Sequence, residues 1–155
     1  MSINPVPERI TALRAAMAAN GVSVYLIPAG DPHASEYLPD HYASLTWFSG
    51  FHGENSHFVV TRTESALWAD GRYFVQAEKE IAGTEIKLQR MGEPGVPTVE
   101  EYCTNALNEG EALGLCGLTA STALVNNLKK ALGRKNASIR TLNLEDELWT
   151  EGRPA

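Results

Sequence analysis

The sequence predicts an α/β layer fold, a mixed sheet of about six strands flanked by helices. Three observations carry that prediction. Strand-period and helix-period segments alternate along the chain. Val22-Ser23-Val24-Tyr25-Leu26-Ile27 is a short, β-branched and nearly all-apolar run, the pattern of a strand buried on both faces. The 155 residues, 43% hydrophobic and 21% charged, suit one soluble domain with a single core.

The first helix is expected from about Pro5 to Asn20. Asn4 stands as its cap and Pro5 suits the first helical position, while Val6, Ile10, Leu13 and Met17 form one apolar stripe ahead of Gly21. Val22 to Ile27 is the central strand, closed by Pro28 and Gly30. No period holds from Ala29 to Ser44, so this polar, proline-containing stretch reads as a long loop, followed by a brief strand at Leu45 to Phe48. Phe58 to Thr61 and Ala66 to Trp68 flank the turn Arg62-Thr63-Glu64-Ser65 and form a hairpin. Asp70 caps the next helix, whose Tyr73, Phe74, Ala77 and Ile81 share a face, and Gly83 ends it before the alternating strand Ile86 to Gln89. Thr98 and Glu101 make a capping box for a helix with Tyr102, Cys103, Ala106 and Leu107 inward. Strand Ala112 to Cys116, a helix from about Ser121 to Leu132, strand Ser138 to Leu142 and a short helix at Leu144 to Trp149 complete the alternation.

Charge and composition exclude several function classes. A net charge of −6 gives no footprint for nucleic acid or anionic lipid, and the one dense basic stretch, Lys129, Lys130, Arg134 and Lys135, reads as the end of a helix. The longest apolar run, Val22 to Ala29, is far short of the roughly 20 residues that span a membrane, and no targeting signal precedes it. Cys103 and Cys116 lie in apolar neighbourhoods and read as buried free thiols, which places the chain in the cytoplasm.

Familiar catalytic motifs are missing from the sequence: no phosphate-binding glycine loop, no Gly-x-Ser-x-Gly, no His-Glu-x-x-His, no Cys-x-x-Cys. His52, Glu54 and His57 are conceivable zinc ligands, but their spacing puts them on no common helical face, and polar loop residues are the plainer reading. His33 and His41 bracket the long loop with Asp31, Glu36 and Asp40, and such a loop can line a cleft. Asp70-Gly71-Arg72-Tyr73-Phe74 is the densest mixed cluster. Asp70 serves as a cap, Gly71 as a tight turn, Tyr73 and Phe74 as core, and Arg72 is left with a guanidinium fork suited to a carboxylate, structural or from a partner. Trp47, Phe48 and Phe51 cluster among turn residues with no core-facing period, which predicts an apolar self-association or partner surface.

Several blocks carry a resemblance in matching order and register. Tyr25 to Tyr37 (YLIPAGDPHASEY), Phe48-Ser49-Gly50-Phe51, Leu67 to Ala77 (LWADGRYFVQA), Met91 to Thr98 (MGEPGVPT) and Leu148 to Pro154 together resemble the N-terminal domain of Xaa-Pro aminopeptidases, also called aminopeptidase P, in the creatinase/prolidase group. The similarity covers essentially the whole chain. It departs at one turn, where His52-Gly53-Glu54-Asn55-Ser56-His57 replaces the small Gly-Ser-rich segment that similar proteins carry.

The resemblance implies a ribonuclease-H-like α/β domain that is itself non-catalytic, packs beside a metallopeptidase domain, helps shape substrate access and takes part in dimer contacts. The family removes an N-terminal residue that precedes proline, using two divalent metal ions, commonly manganese, in a separate C-terminal domain. No stretch of these 155 residues holds that ligand set, so no catalytic or metal-binding residue is expected here. His33, Asp70 and Arg72 are the candidates for substrate access or interdomain contact, and Trp47, Phe48 and Phe51 for the interface. The expected partners are the catalytic domain, a second copy of the chain and, through the full protein, a peptide. Arg153-Pro154-Ala155 reads as the start of a linker, which favours an excised domain. The alternatives are a standalone interaction module on the same fold, or the N-terminal domain of another creatinase/prolidase-group amidohydrolase.

Overall fold

A computed structural model describes residues 5–28, 44–52, 56–115, 122–144 and 148–149. Six strands form one sheet: β1 (Val24–Pro28), β2 (His57–Thr61), β3 (Ser65–Ala69), β4 (Lys87–Arg90), β5 (Ala112–Leu115) and β6 (Ser138–Thr141). Their order is β4-β3-β2-β1-β5-β6, with β2 antiparallel to both neighbours and every other pairing parallel. The mixed α/β sheet is therefore as expected, with the apolar β1 near its middle and buried along its whole length.

The helices are α1 (Val6–Ala19), α2 (Ser44–Ser49), α3 (Phe74–Glu80), preceded by a 3-10 turn at Gly71–Tyr73, α4 (Val99–Ala106) and α5 (Thr122–Gly133). Alternation along the strands sorts them into two cores. Tyr25, Ile27, Phe58, Val60, Leu67 and Ala69 face α1, α2 and α3, whose Ile10, Leu13, Met17, Phe48 and Ala77 fill that side. Val24, Leu26, Val59, Ala66, Trp68 and Leu113 face α4 and α5, which contribute Cys103, Leu124, Leu128 and Leu132. Cys103 is a buried free thiol, whereas Cys116 lies outside the described residues.

Two local expectations change. Leu45 to Phe48 is not a strand: it lies in helix α2, where Leu45 and Phe48, one turn apart, are both buried. The Ser49 hydroxyl donates to the Leu45 carbonyl and accepts from the Phe51 amide, and Gly50 turns the chain away at φ +82°. Phe48 and Phe51, expected at an interface, lie wholly inside the chain's own core, because the α2 turn folds both rings against the sheet. Trp47 is half-buried, stacked on Trp149 at 5.5 Å and covered by the Arg9 guanidinium 4.0 Å from its ring centre. Helix α1 begins after Pro5, close to the expected start, and the expected cap, Asn4, lies outside the described residues.

Candidate functional site

Strand directions bring His57 and Asp70 to one end of the sheet. Pro28 pairs with His57, His57 with Trp68, Ala69 with Arg90, and Leu115 with Thr141. The carboxyl ends of β1, β3, β4, β5 and β6 thus share a rim with the start of β2. In open α/β sheets ligands bind outside the carboxyl ends of the strands. The segment bearing His33 leaves β1 at this rim, but His33 itself lies outside the described residues.

Asp70 follows β3 directly and caps the 3-10 turn: its Oδ1 accepts the Arg72 amide at 3.0 Å. The Arg72 guanidinium folds back onto the same carboxylate, Nη2 to Oδ2 at 3.0 Å, and lies 5.4 Å from the Tyr73 ring centre. The fork expected to seek a carboxylate therefore finds one two residues away, while 68% of its side chain stays exposed. Gly71 has open space where a Cβ would sit and no left-handed φ, so the turn does not demand a glycine there. Val75, on the next turn, is a large apolar side chain left 66% exposed.

His52 and His57 diverge. His52 Nδ1 meets Glu80 Oε2 at 2.5 Å on the α3 side, its backbone amide donates to Glu80 Oε1 at 3.1 Å, and Gln76 donates to the same oxygen at 2.8 Å. Burial pushes the Glu80 carboxyl up, but the hydrogen bonds from Gln76 and His52 together outweigh it and hold it below its ordinary value. His57 faces the other side of the sheet, toward α4. A shared zinc site for the two histidines is excluded by that divergence, and Glu54 lies outside the described residues. Among the described residues no three His, Cys, Asp or Glu side chains come together to hold a metal ion.

His57 opens into a pocket of about 390 Å³ under the 91–100 segment, with Trp68, Met91, Val96 and Glu100 among its walls. Its Nδ1 is sealed from solvent and has no hydrogen-bond partner. Burial pulls its basicity below the usual imidazole range, against a partial pull upward from Glu100. This pocket escaped sequence reasoning, although the hairpin register already places His57 opposite Trp68. The His52–Glu80 pair had no local signal, since 28 residues separate its members.

The family model described as Creatinase/Prolidase N-terminal domain matches residues 9–147. The chain is 38% identical to Aminopeptidase P2 of Arabidopsis thaliana over 154 residues, covering 96% of the chain and 22% of that protein. To the Xaa-Pro aminopeptidase app-1 of Caenorhabditis elegans it is 37% identical, covering 93% of the chain and 23% of the relative. The chain thus spans less than a quarter of the length of either. A solved X-prolyl aminopeptidase of Caenorhabditis elegans, described as a cytosolic enzyme with a di-nuclear active site, superposes at a TM-score of 0.85 with 32% identity, over 96% of the chain and 26% of that structure. The isolated N-terminal domain of a Mycobacterium tuberculosis cytoplasmic peptidase shares the fold at a TM-score of 0.66 and 24% identity, covering 92% of the chain and 98% of that domain.

Proposed function

Because the chain belongs to the creatinase/prolidase N-terminal domain family, we propose that it is the non-catalytic N-terminal domain of a metal-dependent Xaa-Pro aminopeptidase of the cytoplasm. One observation carries this reading: a match that uses 96% of the chain but only 22% of a named aminopeptidase P leaves more than three quarters of that relative for the catalytic part. The two divalent ions, which we assign as manganese, belong to that part.

The domain's contribution is interdomain contact and substrate access at the carboxyl rim. Arg72 supports this, because its guanidinium is held by Asp70 yet largely exposed, and so does Val75, apolar and uncovered beside it. His33, outside the described residues, remains the third candidate for this role. For the homodimer, Phe48 and Phe51 are covered within the chain, which leaves the exposed part of Trp47 as the remnant of the expected aromatic surface.

Two measurements test the proposal. Purified chain with added manganese is expected to release no N-terminal residue from an Ala-Pro-Ala peptide, and metal-dependent release would overturn the non-catalytic assignment. In the enzyme that joins this domain to its catalytic partner, Arg72→Ala is expected to lower kcat/KM for that peptide about tenfold while the domain's urea midpoint holds. Unchanged kinetics would assign Arg72 to the surface alone.

A further inference from the structure

We propose that Asn20-Gly21, at the end of α1, is a latent deamidation site that the folded chain holds shut, so that conversion of Asn20 marks a molecule whose α1 end has opened. The chemistry is set by the sequence. Asn20 is the one asparagine followed by a glycine, and a glycine nitrogen, with no Cβ beside it, is the least hindered main-chain nucleophile toward the preceding side-chain amide. The Gly21 nitrogen gives up its proton and bonds to Asn20 Cγ, the bond from Cγ to Nδ2 breaks, and ammonia leaves with that proton. Water then opens the resulting succinimide ring at one of its two carbonyls. The product is an aspartyl residue or an isoaspartyl linkage, in which the main chain runs through the side chain. Water is the only co-reactant.

The fold requires this dipeptide and blocks it at once. Gly21 stands at φ +73°, the left-handed conformation that ends α1. Its amide donates to the Ala18 carbonyl at 3.3 Å and the Val22 amide donates to the Met17 carbonyl at 3.0 Å, the paired bonds of a Schellman motif. The nucleophile is thus engaged as a donor. The electrophile is held as well: Asn20 Nδ2 donates to the Ala16 carbonyl at 2.8 Å, which turns the side-chain amide back along the helix. At ψ 2° the Gly21 nitrogen lies over the main-chain nitrogen of Asn20 rather than beside its Cβ, so Cγ reaches it only after rotation about the Cα–C bond. That rotation also swings the Asn20 carbonyl away from Arg140 Nη1, which donates to it from β6. Burial adds nothing, since Gly21 is exposed, and geometry alone protects the site. Neither product rebuilds the turn. The isoaspartyl linkage lengthens the main chain by one carbon inside the Schellman motif, whereas an aspartyl carboxylate has no donor for Ala16 and adds negative charge at the negative end of α1. Met17 and Val22, both buried, carry the loss into the core.

The test incubates the purified chain in mildly alkaline buffer and follows the exchange of NH for O at position 20 by fragmentation mass spectrometry, with a peptide of residues 17–23 as the unprotected reference. The folded chain is expected to convert at least about tenfold more slowly than the peptide, and in urea that unfolds it the two rates should agree within about twofold. Arg140→Ala should raise the rate of the folded chain several-fold and leave the rate in urea unchanged, while Asn20→Gln, whose longer side chain closes a ring far less readily, should silence the site. Converted chains, separated by ion exchange, should show a lower urea midpoint than the parent. Equal rates for the folded chain and the peptide overturn the proposal, and so does a converted chain that keeps the parent's midpoint. The comparison of folded chain, unfolded chain and peptide decides it even if a variant fails to fold.

Discussion

Tyr25 shows how one side chain can fix a strand's neighbour. It sits fully buried in β1, its hydroxyl donates to the Leu142 carbonyl at 3.1 Å and accepts from the Leu144 amide at 3.2 Å, and so it fastens the chain that follows β6 to the sheet centre. The ring needs room on β5. A Cβ added at Gly114, its partner in the β1–β5 register, would lie 2.9 Å from Tyr25 Cδ2, closer than real contacts allow. Gly114→Ala is therefore expected to destabilise the domain by about 1–3 kcal/mol, as overpacking in a closed core does, and a urea melt followed by far-UV circular dichroism measures it. Arg72 gives the opposite case at the same scale. Its pair with Asp70 is exposed and local, so Arg72→Ala should cost less than about 1 kcal/mol in the same assay.

Helix α4 and helix α2 mark what a local pattern does and does not reveal. The Thr98 hydroxyl accepts from the Glu101 amide while the Glu101 carboxylate accepts from the Thr98 amide, the reciprocal pair that the sequence announced. Thr98→Ala is expected to cost about 1 kcal/mol, read as a lower midpoint in urea, and Thr98→Ser should restore most of it. The signal was legible because every partner lies within four residues. Helix α1 was legible for the same reason, its stripe of Val6, Ile10, Leu13 and Met17 being buried as the spacing demands. At α2 six residues offer too short a window: Leu45 and Phe48 fit one turn of helix, yet Leu45-Thr46-Trp47-Phe48 also fits a strand, and only burial against the sheet decides between them. Glycine at position 50, with its left-handed φ, was the clue left unused.

At the scale of the molecule, the mixed sheet was foreseeable from the alternation of elements, but the order β4-β3-β2-β1-β5-β6 was not, since four of its five pairings join segments distant in sequence. The same reason hid most of the candidate site. Asp70 announced itself as a cap, whereas the pairing of His52 with Glu80 and the approach of His57 to Glu100 exist only once the strands have chosen their neighbours. These long-range contacts also set how stability responds to acid. Glu85 is held below the usual carboxylate range first by Arg14, Glu64 first by Lys87, and Glu111 first by the Asn108 amide, so each contributes stability that is present above about pH 4.5 and lost as pH falls through its lowered folded value. His57 acts at higher pH with the same sign. Its folded pKa lies below the ordinary 6.5, so on descending through 6.5 the unfolded chain takes up a proton that the fold refuses, and stability falls by at most about 1.4 kcal/mol per pH unit until the folded value is reached. Glu100 is the charged group that limits the effect, by favouring the imidazolium. Urea midpoints measured between pH 8 and pH 5 are thus expected to drop for the parent chain, and His57→Gln, which keeps a polar side chain but cannot titrate, should flatten part of that drop while leaving the steeper loss below pH 4.5 in place. Identical profiles for parent and variant would mean that His57 is as solvated in the folded chain as in the unfolded one.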